Sequence, residues 1–575
     1  MKKIIVFFLG LAFCATFLFA QDIERNVKER LTDYFNQYTA TAKISTPKLN
    51  SFDINYDRKT IAIYASESFA YQPFRPETVE NIYNQVKELL PGPVHYYQLT
   101  IYADGKPIED LVPNFYRNKK KDKERLSLNV DYRGAPWVKN TSRPNEISRG
   151  LQDRHIAIWQ SHGNYFKNDK NEWGWQRPRL FCTTEDMFTQ SFVLPYVIPM
   201  LENAGAIVYT PRERDTQKNE IIVDNDTPNA SLYLEMGGKK INWANAPVRG
   251  FAQKKTIYKD GENPFTDGTC RFIPTERKKK KNKDQVFAEW VPTLPATGKY
   301  AVYVSYQTLP NSVSDAKYLV FHNGGVTEFK VNQKIGGGTW VYLGTFEFDK
   351  GSNDYGMVVL SNESSEHGVV CADAVRFGGG MGNIARGDSL QEVVSGFPRY
   401  LEGARYNAQW SGMPYSVYSG KNGTNDYSDD INVRSYMTNY LAGGSSYFPA
   451  DSGLHVPIEM AIALHSDAGI APDSTFVGTL GIYTTDFNEG MFATGMSRLA
   501  SRELCDVVMT QVDEDLNRLY GQWKRRQMFD RNYSETREPQ VPAMILEMLS
   551  HQNFRDMALG HDPAFKFNLA RAIYK

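Results

Sequence analysis

The chain has 575 residues, too many for one hydrophobic core, so two to four domains are expected. Its 66 acidic residues balance 66 basic ones, which leaves no global field to attract nucleic acid or an anionic membrane. Aromatics make up 13% of the residues, with 34 Tyr, which suits either an extracytoplasmic β-rich protein that touches sugars or simply aromatic-rich sandwich cores.

Met1, Lys2 and Lys3 precede an apolar run from Ile4 to Phe19, then Ala20 and Gln21. This is the pattern of a secretory signal peptide over 1–20, and the run is short for a membrane span. No other segment is apolar enough to span. The mature chain is therefore expected to be exported to the periplasm, the cell envelope or the medium, without a transmembrane segment. A lipoprotein reading of Cys14 meets Phe13 where a small residue is wanted. Cys182, Cys270, Cys371 and Cys505 are scattered with no Cys-x-x-Cys, which argues against a thiolate zinc knuckle. A disulfide would join Cys270 to Cys371, but buried free thiols are the expected state.

Residues 21–115 read as a small α+β module. A helix over Ile23–Tyr38 is followed by alternating strands Ser51–Tyr56 and Thr60–Ala65, a helix from Pro76 stopped by Pro91 and Gly92, and a strand Gln98–Tyr102. A polar linker is expected over 116–149, with Lys119–Lys123 as solvated charge. From 150 the pattern is strand, helix, strand: His155–Trp159, Glu185–Asn203, Ala206–Thr210. Phe188, Phe192, Val193, Tyr196, Val197, Met200 and Leu201 recur at helical spacing, while Pro195 and Pro199 predict a bend. Such a unit points to an α/β sheet.

Between 216 and 385 short alternating strands dominate, among them Lys299–Tyr306, Lys317–Phe321, Thr327–Val331, Gly356–Leu360 and Val369–Phe377. This is a β-sandwich. Its basic run Lys278–Lys281 is either a polyanion-binding loop or a solvated one. From 386 to 575 longer helices return, near 432–439 and 496–518, with isolated apolar strands at 459–465 and 543–547 and a closing helix from Pro563.

Four residues in these apolar segments stand out: His162, Glu185, His465 and Glu547. Two imidazoles and one carboxylate are the ligand set of an open catalytic zinc site, and a further carboxylate can act as base. Each residue alone has a plainer reading. A histidine on an apolar strand is commonly a core residue, Glu185 could be a first-turn carboxylate favoured by the helix dipole, and Glu547 in an apolar run needs a reason for burial. The histidines at 95, 155, 322, 367, 455, 551 and 561 are background, with His551 the one that could contact substrate. Segment 150–215 supplies one His and one Glu, and segment 386–575 supplies the other pair. The expected architecture is therefore an α/β catalytic domain (150–215 plus 386–575, a mixed sheet flanked by helices) with an inserted all-β sandwich (216–385) and a small N-terminal α+β module.

Those segments resemble the zinc-dependent N-acetylmuramoyl-L-alanine amidases. The similar pieces are His162-Gly163, Glu185 at a helix start, Asn203–Ala206, Thr210–Arg212, Ala463–Ala468 and Val541–Asn553, in that order, over about 250 residues in two pieces. The resemblance implies Zn²⁺ held by His162, Glu185 and His465, with Glu547 as the catalytic base. It also implies peptidoglycan or its muropeptide fragments as partner, and cleavage of the amide between the muramyl lactyl group and L-alanine. The chain departs from the family at one point: Asp-Pro-Gly usually precedes the first His, and here Trp159, Gln160 and Ser161 do. That changes the surroundings of the first ligand. Trp173, Trp175, Arg177 and Arg179 sit on the loop expected to face substrate. The sandwich, through Asp260–Phe265 and Val369–Phe377, is similar to golvesin C-terminal-like modules, which also occur in xanthan lyases and which make a glycan ligand there conceivable. Two other readings stay open: a wall- or glycan-binding protein on an inactive amidase fold, and a polysaccharide lyase. A zinc carboxypeptidase would want His-x-x-Glu, and His162–Tyr165 does not fit.

Overall fold

The computed structural model describes residues 21–118, 120–127, 132–145, 147, 150–226, 231–277, 286–388, 392–471 and 475–575. The expected signal peptide and the run Lys278–Lys281 lie outside the described residues. Among the described residues no helix is long and apolar enough to cross a membrane.

The N-terminal module is a four-stranded sheet in which Thr60–Ala65 pairs antiparallel with Leu49–Asn55 and parallel with Gln98–Ala103. Helix Pro76–Leu89 buries Val79, Ile82 and Val86, the three- and four-residue spacing of one helix face, in a core shared with Val27, Leu31 and Phe35.

The site is carried by a six-stranded mixed sheet. Its strands are β1 (His155–Gln160), β2 (Ile207–Tyr209), β3 (Ile458–Asp467), β4 (Thr479–Tyr483), β5 (Arg525–Asp530) and β6 (Ala543–Ser550), in the order β5-β4-β6-β3-β1-β2. The strands β6, β3, β1 and β2 run parallel, and β4 opposes β6. All six residues of β1 are buried, as expected of a central parallel strand covered on both faces. The two-residue period sorts their side chains. Ile156, Ile158, Ile462, Leu464, Met544 and Leu546 face helices Leu499–Tyr520 and Pro563–Tyr574. Ala157, Trp159, Ala461, Ala463, Ala543 and Ile545 share the other core, which extends into the β-rich region.

The helix expected over Glu185–Asn203 is broken. Glu185–Phe188 and Gln190–Phe192 lead into a π-helical turn at Val193–Val197, then Ile198–Asn203. Pro199 has no N–H to give to the preceding turn, and the widened turn absorbs the loss.

The strands between Ile221 and Phe377 form antiparallel sheets of four, six and three strands. The stretch expected to be linker contributes to them. Val138–Asn140 pairs with Phe329–Val331 at the edge of the six-stranded sheet. Cys270 and Cys371 are buried free thiols on neighbouring strands, with Cys371 opposite Phe272.

Candidate metal centre

In a parallel sheet the loops that build sites leave the carboxyl ends of the strands, at the point where successive connections diverge. Here that point lies between β1 and β3. The chain leaves β1 toward β2 on one side, and β3 lies on the other. His162 follows β1 directly, and Ser161 N donates to Leu464 O at 2.8 Å, so the chain stays in register with β3 up to His465. In turn His465 is paired with Glu547 on β6. Three consecutive strands thus deliver three of the four residues singled out in the sequence, and Glu185 enters from the helix start after the long loop. Gly163 sits where a Cβ would strike the carbonyl of Glu402 and the Arg212 guanidinium, so only glycine fits directly after His162. Arg212, fully buried, donates to the carbonyls of Gln160 (2.8 Å), Glu402 (3.1 Å) and Tyr400 (3.1 Å) and pins that loop.

One ligand atom each from His162, Glu185 and His465 lies within 4.8 Å of the other two, and all three residues are buried. The two imidazoles are arranged alike. His162 points Nε2 at Glu185 Oε2 (3.3 Å) and Nδ1 at Asp186 Oδ1 (3.1 Å). His465 points Nδ1 at Glu185 Oε1 (3.1 Å) and Nε2 at Glu535 Oε2 (3.1 Å). Each ring therefore has an outer nitrogen on its own carboxylate and an inner nitrogen on the shared one. A carboxylate on the outer nitrogen accepts a hydrogen bond from its N–H, which keeps the ring proton there and leaves the inner lone pair for a cation. His162 Nε2 is buried with no hydrogen-bond partner. An orphaned imidazole nitrogen, a second inward imidazole and a carboxylate between them fit a zinc ion by donor type.

The electrostatics follow from this crowding. Burial opposes charge on Glu185, but His162 and His465 hold its carboxyl well below the usual range. Burial also opposes charge on His465, yet Glu535 and Glu185 lift it to about 10. Glu535, despite burial, is brought down to about 2 by Arg434, His465 and Trp159. Glu547 goes the other way. Burial pushes it up to about 8, His465 works against this, and the carboxylates of Glu185, Asp467 and Glu535 add to it. Its Oε2 is buried and has no partner. A dication at the centre reverses that balance.

Asp186 and Glu535 had no assigned role from sequence. Asp186 accepts from His162 and from the backbone N–H groups of Gln176 and Arg177, both at 3.2 Å. Its adjacency to Glu185 was the available signal. Glu535 carried none, since it sits in the four-residue helix Ser534–Arg537 between β5 and β6. His551 stands at the margin, its Nδ1 4.0 Å from Glu185 Oε2 and 2.8 Å from Ser466 O. On the loop after His162, Arg177 Nε approaches Glu185 Oε2 at 3.5 Å and the side chain stays 38% exposed. Trp173 donates to Val393 O and Trp175 packs on Phe397. The ring pairs Tyr165–Tyr427 and Phe181–Phe554 belong to this loop as well, and Tyr427 and Phe554 are exposed.

Residues 272–379 match the family model of the golvesin C-terminal domain. A xanthan lyase of Bacillus sp. (strain GL1) is 39% identical over 110 residues, 19% of this chain and 11% of that protein. The chain therefore spans only a small part of the curated relative it matches. Among solved structures, a Paenibacillus xanthan lyase aligns at 24% identity over 28% of this chain and 13% of its own, with a TM-score of 0.19. The catalytic domain of CwlV, an N-acetylmuramoyl-L-alanine amidase from Bacillus (Paenibacillus) polymyxa var. colistinus, aligns at 20% identity over 20% of this chain and 54% of its own, with a TM-score of 0.16. The CwlD amidase from Clostridioides difficile, in complex with the GerS lipoprotein, aligns at 18% identity over 26% and 60%, with a TM-score of 0.18. Structural likenesses of that size leave the function to be argued from the site.

Proposed function

We propose that this protein is an exported zinc hydrolase that cleaves the amide between N-acetylmuramic acid and L-alanine in peptidoglycan. The observation that carries the reading is the convergence of His162, Glu185 and His465 with their inner donor atoms within 4.8 Å, beside a half-buried Glu547. In this reading His162 Nε2, His465 Nδ1 and a Glu185 oxygen hold Zn²⁺. The ion, when bound, supplies Lewis acidity toward the amide carbonyl and acidity to water.

The remaining roles belong to the chain. Glu547, opposite His465 in the sheet, accepts the proton of the attacking water and returns it to the leaving amine. Asp186 and Glu535 hold the rings. Arg177, partly exposed beside Glu185, is placed to meet negative charge on substrate or on the developing oxyanion. The exposed aromatic rings Tyr427 and Phe554 offer stacking faces for sugar rings or peptide. The golvesin-type module, inserted between the two halves of the catalytic unit, is assigned to glycan binding. A lyase activity does not transfer with that module, because an accessory domain does not carry the reaction.

The test is release of stem peptides from intact peptidoglycan by the purified mature chain, with Zn²⁺, with chelator, and with Glu547→Ala. Zinc-dependent release that the substitution abolishes supports the assignment. One bound zinc per chain with no release from any peptidoglycan leaves a wall-binding protein. A chain that binds no zinc ends the metal reading.

A further inference from the structure

The geometry points to Glu535 as the positioning residue that fixes which nitrogen of His465 is offered to the metal, with Trp159 and Arg434 as the donors that lock it in place. This inference rests on the zinc reading of the same site.

His465 can serve as a ligand through Nδ1 only if its proton sits on Nε2, because a neutral imidazole carries one N–H. Glu535 supplies the acceptor there, with Oε2 at 3.1 Å from Nε2 and Oε1 at 3.3 Å. The carboxylate has no freedom to turn away. Its Oε1 accepts from Trp159 Nε1 at 2.5 Å and from Arg434 Nη1 at 2.8 Å. Arg434 is itself fixed, since its Nε donates to Asp430 O at 3.0 Å within its own helix, Asp426–Ala442. The same Nη1 also donates to the carbonyl of Ser161 at 3.1 Å, the residue before His162. One guanidinium thus ties the support of the second imidazole to the backbone that carries the first.

Trp159 stands three residues before His162, in the segment where the sequence departs from the amidase pattern. It faces the same side of the sheet as His465, since residues 159, 461 and 463 share one core. Glu535 answers to His465 as Asp186 answers to His162. The difference is that Asp186 adjoins a ligand in sequence, while Glu535 reaches His465 from 70 residues away.

The test exploits an isosteric change. In Glu535→Gln the side-chain oxygen stays with its two donors, Trp159 and Arg434. The amide NH₂ then faces His465 Nε2. That nitrogen must accept, the ring proton moves to Nδ1, and the inward lone pair is lost. The expected result is a fall in Zn²⁺ affinity of about 10- to 100-fold, measured by competition with a chromogenic chelator, with a changed Co²⁺ absorption spectrum. Trp159→Phe keeps a buried ring and removes one donor, so a smaller loss in the same direction is expected. It carries the test if Glu535→Gln fails to fold. Parental Zn²⁺ affinity and an unchanged Co²⁺ spectrum in the folded variants would overturn the inference. If the unsubstituted chain binds neither metal, the zinc reading itself fails and takes this one with it, so the parental titration separates the two failures.

Discussion

Two buried charge clusters in this molecule answer the same physical problem in opposite ways. At the junction between the β-rich region and the sheet, Glu213 Oε2 meets Arg376 Nη2 at 2.9 Å, and its Oε1 accepts from the Tyr303 hydroxyl and the N–H of Arg214. Glu220 there receives Arg399 (2.7 Å), Arg376 (3.3 Å) and Trp410 Nε1 (3.1 Å) on one oxygen and Arg399 Nη2 (3.2 Å) on the other. Every carboxylate oxygen is answered by a cation or a donor within the chain. At the candidate metal centre the inner nitrogens of two imidazoles converge on one carboxylate, a second carboxylate is raised to about 8, and Arg177 approaches only at 3.5 Å. Closed clusters are built for position, and a cluster left open on its inner side is built to be completed by something else.

Breaking the closed cluster should cost most. Arg376→Met leaves Glu213 buried without its cation, and we expect a loss of about 3–5 kcal/mol, read as a fall in the denaturation midpoint. If the midpoint holds, the junction is not carried by this pair. At the open cluster the same kind of deletion should strike activity instead. Glu547→Gln should lower turnover of peptidoglycan by about 10²–10⁴-fold while zinc stoichiometry stays at one and the melting point does not fall. A variant that loses zinc together with activity would make Glu547 a ligand rather than the base.

Ligand linkage sharpens the contrast. Zinc at about 100 times its dissociation constant should stabilise the chain by about 2.7 kcal/mol, reversed by chelator and absent in His465→Ala. Arg376→Met, though destabilised, should keep the full zinc increment; losing it would mean the clusters are coupled.

A test away from both clusters uses His155, the first residue of β1. His155 is buried at the opposite end of the strand and accepts from Trp137 N through Nε2. Burial, with Arg154 nearby, lowers its pKa from 6.5 to about 3. The folded state therefore binds fewer protons than the unfolded one. The contribution is complete above pH 6.5 and is lost as pH falls from there toward 3, at up to about 1.4 kcal/mol per pH unit. His155→Phe should flatten that part of the stability profile. An unchanged profile would mean that His155 does not titrate on unfolding.

Much of this was legible in the chain. The apolar runs around Ile156, Ile462 and Met544 marked buried strands, and His162, His465 and Glu547 lie on or directly after three neighbouring strands of one sheet. The break in the helix after Glu185 was signalled by Pro195 and Pro199, although not that a π turn would take it up. The strand Val138–Asn140 was hidden inside polar sequence, because three residues are too few for a period to show and its pairing partner lies near residue 330.

The sequence by itself determined the donor types and the sheet faces. Side-chain alternation is a property of the strand backbone and sorts the residues of each strand into two faces; the pairing of Ala463 with Trp159 and of His465 with Glu547 then puts Trp159, His465 and Glu547 on one side. Only the tertiary structure decided which nitrogen of each imidazole looks inward. That choice belongs to a carboxylate on the outer nitrogen: a neighbour of Glu185 for His162, and for His465 a glutamate 70 residues away, held by a tryptophan and an arginine from two further elements. Protonation is settled by contacts through space, and no local pattern in the sequence records them.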